Sequence, residues 1–172
     1  MLQILKYDPS FNDVFKNERK KIARLLKGDY FIHHIGSTAI PEMVGKGVID
    51  IMITFTTVPE IKSAVLSLKN DYYLGSDKIE RGDRIFMTSS DVESKFGDVH
   101  LHLALDGSED YINAILFRDY LIKHHDTKQT YIDLKYKLLK DINGDRAEYT
   151  KQKSDFIKEV LTLAKNEDKI NS

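Results

Sequence analysis

Residues 31–53 constrain the fold more than any other part of the chain. Phe31, Ile32, His33, His34 and Ile35 favour a pleated, half-buried strand, because aromatic and β-branched side chains suit that surface. Gly36-Ser37-Thr38 then makes a small-residue turn rich in hydroxyls. Glycine lets backbone approach a ligand closely, and the hydroxyls can donate to phosphate or cap a following turn. A second strand is expected over 48–55, an apolar run carrying one carboxylate, Asp50. An ionised acid in such a run is costly unless it faces a cleft, is paired or holds a metal. The order is therefore strand, phosphate-friendly turn, linker, and a strand bearing an acid.

A later strand, over 99–105, alternates cleanly. Val99, Leu101, Leu103 and Leu105 share one face, while His100, His102 and Ala104 share the other. That pattern predicts an antiparallel strand with one buried face and one face toward solvent or a cleft. Two histidines two residues apart project together, so they can address one metal or one phosphate. Neutral imidazole suits zinc, iron, nickel or manganese better than magnesium. The alternative is a pair of surface histidines, just as the alternative for Asp50 is a structural acid in a salt bridge. His34 either shares the cleft with Asp50 or hydrogen-bonds the turn.

The remainder reads as helix with a few short strands. Asp8 and Pro9 suit a helix entrance, after which Phe11, Val14, Phe15, Ile22, Leu25 and Leu26 recur at helical spacing until Gly28. The basic cluster Lys16 to Arg24 reads as a solvated helix face, interrupted by Glu18. Thr57-Val58-Pro59-Glu60 starts a second helix with Ile61, Val65, Leu66 and Leu68 on its core face. Short strands are expected over 72–74 and 84–88, separated by a turn at 80–83, and 91–97 is expected to be an exposed hairpin loop. Helices follow from a cap at Ser108 to about His124, from a cap at Asp126 to about Ile142, and from a break at Asn143-Gly144-Asp145 to about Lys165.

A length of 172 residues suits a single domain, residues 1–172, with a sizeable core. The chain has no cysteine, which excludes disulfides and thiolate metal sites. A formal charge of −1 gives no global reason to expect nucleic acid as a partner. The opening residues lack the apolar core of a secretory leader, and no apolar run is long enough to span a bilayer, so the expected location is cytoplasmic with no membrane partner.

Gly36-Ser37 followed by Asp50 in an apolar strand resembles the signature of the nucleotidyltransferase superfamily related to DNA polymerase β. More narrowly, His34-Ile35-Gly36-Ser37-Thr38-Ala39 with Ile49-Asp50-Ile51 resembles the GrpB family. The likeness continues through Tyr7-Asp8-Pro9, His100-Leu101-His102, Phe117-Arg118-Asp119-Tyr120-Leu121 and Tyr149-Thr150-Lys151-Gln152-Lys153. The resemblance implies an α/β (α+β) fold, with a nucleotidyltransferase-like mixed sheet as its core and helices at the C-terminal side. It also implies a turn that holds a triphosphate and an acid-apolar-acid strand that holds divalent metal. A later strand beside the acid-bearing one supplies a further ligand in that arrangement, which is where His100 and His102 stand. The second acid would fall at Met52, which is uncharged.

The expected site follows. Asp50 is the candidate catalytic acid and metal ligand, with His34, His100 and His102 as further metal ligands. Gly36, Ser37, Thr38, Lys46, Arg84, Arg118, Tyr149 and Lys153 are the candidate contacts to nucleotide or phosphate, and Arg81 and Lys135 are further possible anion binders. The expected cofactor is a divalent metal, magnesium or manganese first and zinc as the alternative. The partner is a nucleotide or small phosphate-bearing ligand, and the reaction is nucleotidyl or phosphoryl transfer. Two alternatives stand beside it: a non-catalytic nucleotide-sensing or protein-interaction module, and a single-metal hydrolase built on Asp50, His100 and His102.

Overall fold

The structure, a computed structural model, describes residues 4–75, 84–90, 98–141 and 146–171, with the backbone alone at 141, 146–150 and 169–171. The strands are β1 (Phe31–Ile35), β2 (Ile49–Phe55), β3 (Tyr73–Leu74), β4 (Arg84–Thr88) and β5 (Val99–Leu105). The helices are α1 (Ser10–Leu25), α2 (Val58–Leu68), α3 (Glu109–Lys123), α4 (His125–Asp141) and α5 (Arg146–Asn171). A short 3-10 turn, Ser37–Ala39, follows β1. The five strands form one mixed sheet in the order β1-β2-β5-β4-β3. The chain is thus α/β, as the sequence predicts.

Each helix begins where the local chemistry allows it. Thr57 accepts from the Glu60 amide while the Glu60 carboxylate accepts from the Thr57 amide, a reciprocal capping box with Pro59 in the first turn. Ser108 accepts from the Tyr111 amide at the start of α3. Asp8 accepts from the Ser10 amide at 2.8 Å ahead of α1. Asp126 is not a cap, because α4 already starts at His125 and places Asp126 in its first turn. There an acid still complements the helix dipole. The last helix runs past the expected Lys165 to Asn171.

One face of the sheet is covered by α1 and α2. Ile49, Ile51, Ile53 and Phe55 of β2 pack there with Leu101 and Leu103 of β5, Ile22, Ile61 and Leu68. Val14 and Leu66, expected on core faces, are 39% and 65% exposed: their helical period is right but they lie at the edge of the buried stripe. The other face is where Asp50, His100 and His102 stand. Part of it is closed by α3, which packs Tyr111, Ala114 and Ile115 on Ile35, Met52 and Ala104. A third cluster joins Ile40, Met43 and Val44, in the loop before β2, to Leu121, Tyr131, Ile132 and Val160 of the last three helices.

The alternation in β5 holds as read, but the pairing is not purely antiparallel. β5 runs parallel to β2 and antiparallel to β4. Both faces are covered at its far end, where Ala104 is sealed under α3. Alternation therefore reports the polar half, at His100 and His102, rather than the direction of the neighbour. The expected turn at 80–83, with Arg81, and the loop at 91–97 lie outside the described residues.

Candidate functional site

The site is built where β1 ends against β2. The antiparallel register pairs Ile35 with Asp50. Gly36 comes next, at φ 71° and ψ −170°, a conformation essentially restricted to glycine. A Cβ there would stand 2.3 Å from Asp50 Oδ2, so the backbone of the turn lies directly on the carboxylate. Gly45 plays the same part for the neighbouring residue, since a Cβ on it would meet Ser37 Oγ at 2.2 Å. The Ser37 hydroxyl has no hydrogen-bond partner among the described residues.

Thr38 is different. The residue is 2% exposed, and its hydroxyl donates to the Val48 carbonyl at 3.0 Å, which commits its one hydrogen. The contact at 3.1 Å between Thr38 Oγ1 and His34 Nε2 must then have the imidazole as donor. Thr38 thus ties the turn to the strands and keeps no hydrogen for a phosphate. His34 pairs with Ile51 and so stands on the sheet face opposite Asp50, its ring stacked on Phe15 at 4.5 Å. Burial pushes the His34 pKa down to about 4, with Asp50 pulling the other way and Arg118 adding to the drop. The structure does not bring His34 into the set around Asp50.

The parallel register of β2 with β5 sets Asp50 beside His100 and Met52 beside His102. Asp50 Oδ1 lies 3.3 Å from His102 Nε2 and 3.5 Å from His100 Nδ1. Burial works against the charged acid, but hydrogen bonds from His100 and His102 outweigh it and hold Asp50 below the usual carboxylate range. Arg84 Nη2 stands 2.9 Å from His102 Nδ1, and its Nη1 stands 3.4 Å from Asp110 Oδ2. A guanidinium only donates, so His102 Nδ1 accepts and Nε2 carries the proton given to Asp50. Phe86 sets its ring edge-on to His100 at a centroid distance of 4.9 Å.

This decides how well the residues fit a metal. His102 addresses Asp50 with an N–H rather than a lone pair, and His34 is turned away. Among the described residues no group of three or more His, Asp or Glu side chains is arranged to hold a metal ion. The donor set does not fit an enclosed zinc site, which takes several nitrogen or sulfur ligands. One carboxylate is compatible with magnesium or manganese, which is commonly held by one or two acids together with phosphate oxygens and water.

Two lysines complete the electrostatics. Lys135 of α4 is 4% exposed, donates to the Val44 carbonyl at 2.6 Å, and sits 4.5 Å from the centre of the Tyr131 ring. Burial first, and then the charge of Lys153, lower its pKa to about 7, with Asp50 opposing both. Burial also lowers the Lys153 pKa against the pull of Asp50. Lys153 has no ion pair or hydrogen bond among the described residues. The same α4 grips the loop beside the turn through Lys128, whose Nζ contacts the Pro41 carbonyl at 3.2 Å and Glu42 Oε2 at 2.6 Å. Glu42 is held at φ 66° there. Neither Gly45 nor Lys128 carries a local sequence signal for its role, because each acts on residues that only the fold brings near.

Of the other expected contacts, Arg84 and Arg118 bond to residues other than Asp50. Lys46 follows Gly45 in the loop leading to β2. Arg84 reaches the site through His102 rather than directly. Arg118 donates through Nη1 to the His34 carbonyl at 2.9 Å and through Nε to Asp119 at 2.7 Å, on the edge of β1. Tyr149 belongs to α5, and its side chain lies outside the described atoms. Met52 shares the Asp50 face but is 1% exposed, packed with Ile35 and Ala104 beneath α3.

The mixed sheet that carries Asp50 beside the Gly-Ser turn has a nucleotidyltransferase-like fold. The chain matches at TM-score 0.50 the Cid1 poly(U) polymerase, a structure with MgGTP bound, with 14% identity over 77% of this chain and 44% of that one. It belongs to the GrpB family, whose model, described as GrpB protein, matches residues 1–163. The crystal structure of conserved protein GrpB from Enterococcus faecalis superposes at TM-score 0.81 with 21% identity, covering 94% of this chain and 96% of that one. UPF0157 protein VC_A0354 of Vibrio cholerae is 31% identical over 160 residues, 92% of this chain and 80% of that protein. UPF0157 protein YqkA of Bacillus subtilis is 26% identical over 166 residues. This chain covers 95% of itself in that match but spans only 47% of YqkA. No helix among the described residues is long and apolar enough to cross a membrane.

Proposed function

We propose that this protein binds a nucleotide, or another phosphate-bearing small molecule, between the Gly36-Ser37 turn, Asp50 and the lysines of α4 and α5. The observation that carries the reading is the charge arrangement. Lys153 lacks an ion-pair or hydrogen-bond partner among the described residues, yet it interacts with a second desolvated lysine and with Asp50. Two like charges held together out of water disfavour each other, and an anion relieves that repulsion. The Ser37 hydroxyl, uncommitted among the described residues, supplies a donor at the turn next to Gly36, in keeping with a phosphate seated there.

Asp50 is the acid placed to meet a divalent cation arriving with the phosphate, magnesium or manganese rather than zinc. Such an ion would supply neutralisation of phosphate charge. Polymerase-like transfer uses paired acids, and position 52 is a buried methionine. That observation favours a binding module over a transferase, so the bound phosphate is retained or is transferred only slowly.

Calorimetry of nucleoside triphosphates with magnesium tests the reading, using the wild type, Lys153→Met and Asp50→Asn. Binding by the wild type, weakened at least tenfold in both variants, is expected, with little nucleotidyl transfer to any acceptor. A wild type that binds neither nucleotides nor simple phosphate esters, or variants that bind unchanged, contradicts the assignment. Rapid turnover by the wild type contradicts its non-catalytic part.

A further inference from the structure

A cavity of about 480 Å³ opens at the edge of β1, between α1 and α3. Phe15, Lys16 and Arg19 of α1, His34 of β1, and Arg118 and Asp119 of α3 form its main walls. None of Asp50, Ser37, His100, His102, Lys135 or Lys153 lines it. Its volume falls in the range of small-molecule sites.

Its charge is not that of the whole molecule. The chain is −1 overall, whereas this cavity gathers three permanent cations against one carboxylate. Asp119 is held by Arg118 Nε at 2.7 Å. Arg19 has no ion pair or hydrogen bond among the described residues. The Lys16 partner, Asp13, lies outside the cavity, and with their side chains 66% and 74% exposed the pair is weakly held. Arg118 is pre-positioned, because its Nη1 is fixed on the His34 carbonyl at 2.9 Å. A planar wall is also in place, since Phe15 and His34 stack at 4.5 Å with 9° between their rings.

We propose that this groove is a second anion site, taking a phosphate monoester carried on a small organic body, with Arg19 and Arg118 as its principal contacts. A surplus of two positive charges matches a monoester, which carries about −1.5 to −2 at neutral pH, better than a carboxylate or a phosphodiester at −1. The apolar side, Phe15 with the half-exposed Ile122, accommodates the organic body. The inference does not rest on the nucleotide reading of the Asp50 cleft. It also revises the view of Lys16 and Arg19 as a plain solvated face: Phe15 and α3 make a concavity of it.

The test uses phenyl phosphate as probe in metal-free buffer, with binding followed by amide chemical-shift changes across the full chain. Benzoate and a short single-stranded RNA serve as comparators. The expected result is saturable binding of phenyl phosphate that perturbs α1 and α3, at least tenfold tighter than benzoate, and weakened at least tenfold by Arg19→Gln. Asp50→Asn and Lys153→Met should leave the response of α1 and α3 unchanged. Arg19 is exposed, so its variant stays folded, and a melting curve confirms that. Unaltered α1 and α3 shifts in Arg19→Gln overturn the proposal, as does their loss in Asp50→Asn or Lys153→Met. Benzoate binding as tightly, RNA binding more tightly than the monoester, or no saturable binding would each overturn it too. Failure of the magnesium-nucleotide experiment, by contrast, leaves this result unaffected.

Discussion

Gly36 and Asp50 approach so closely that a methyl group on the glycine would stand 2.3 Å from a carboxylate oxygen. Gly36→Ala therefore faces two penalties, a φ of 71° that L-residues rarely adopt and a clash with the acid of the site. Backbone strain of this kind costs about 1–3 kcal/mol. The variant is expected to melt at lower temperature and to lose magnesium-nucleotide binding as well. Thermal denaturation with calorimetry checks both, and a Gly36→Ala protein that binds like the wild type would show that the turn does not position Asp50.

Arg84 fixes the proton of His102. In the wild type, long-range nitrogen-proton NMR correlations should show His102 as the Nε2–H tautomer. Arg84→Gln can present its carbonyl instead of a donor, and the tautomer population is expected to shift toward Nδ1–H. A wild type already in the Nδ1–H form is incompatible with the Arg84–His102–Asp50 chain of hydrogen bonds.

Met52→Asp separates sequence pattern from structure. By pattern it restores a second acid and ought to tighten magnesium binding. Because Met52 is 1% exposed beneath Tyr111, Ala114 and Ile115, the new carboxylate is instead buried, away from water, between His33 and His102 of the neighbouring strands. A loss of about 3 kcal/mol or more is expected in denaturant unfolding. A folded, undiminished variant with tighter magnesium binding would mean that position 52 opens to the cleft.

Lys135 gives the pH dependence its sign. Its folded pKa is about 7, against an ordinary value of 10.5. Between those values the unfolded chain binds a proton that the folded chain does not, so Lys135 makes stability rise as pH rises through that window. Unfolding free energies at pH 7.5 and 9 should show the rise in the wild type and a flatter response in Lys135→Met. An anion beside Lys135 favours its charged form, so ligand binding near pH 8 should take up protons. Calorimetry in buffers of different ionisation enthalpy measures that uptake, and proton release would count against Lys135 as a phosphate neighbour.

What the sequence revealed was local. The strand ending at Gly36, the acid in an apolar run and the alternation through His100 and His102 are each set by neighbours within a few residues, so each could be read directly. The turn and Asp50 do meet, as their order along the chain suggests. What stayed hidden depends on distant segments. Lys135 reaches the Val44 carbonyl across 91 residues, and nothing around either residue announces that contact. The burial of Met52 is decided by α3, and the opposite-face placement of His34 by strand register. Hydrogen-bond direction was illegible for a similar reason. Thr38 and His102 have the right chemistry for a phosphate or a metal, but Val48 and Arg84 determine where their protons go.

The most direct measurement is a crystal structure of the protein grown with manganese and a nucleoside triphosphate, using the anomalous signal of manganese to locate the ion. The account predicts phosphate oxygens within hydrogen-bonding distance of Ser37 and Lys153, and an anomalous peak on the Asp50 carboxylate. Nucleotide and ion bound together elsewhere, with Asp50 still paired only to His100 and His102, would contradict it.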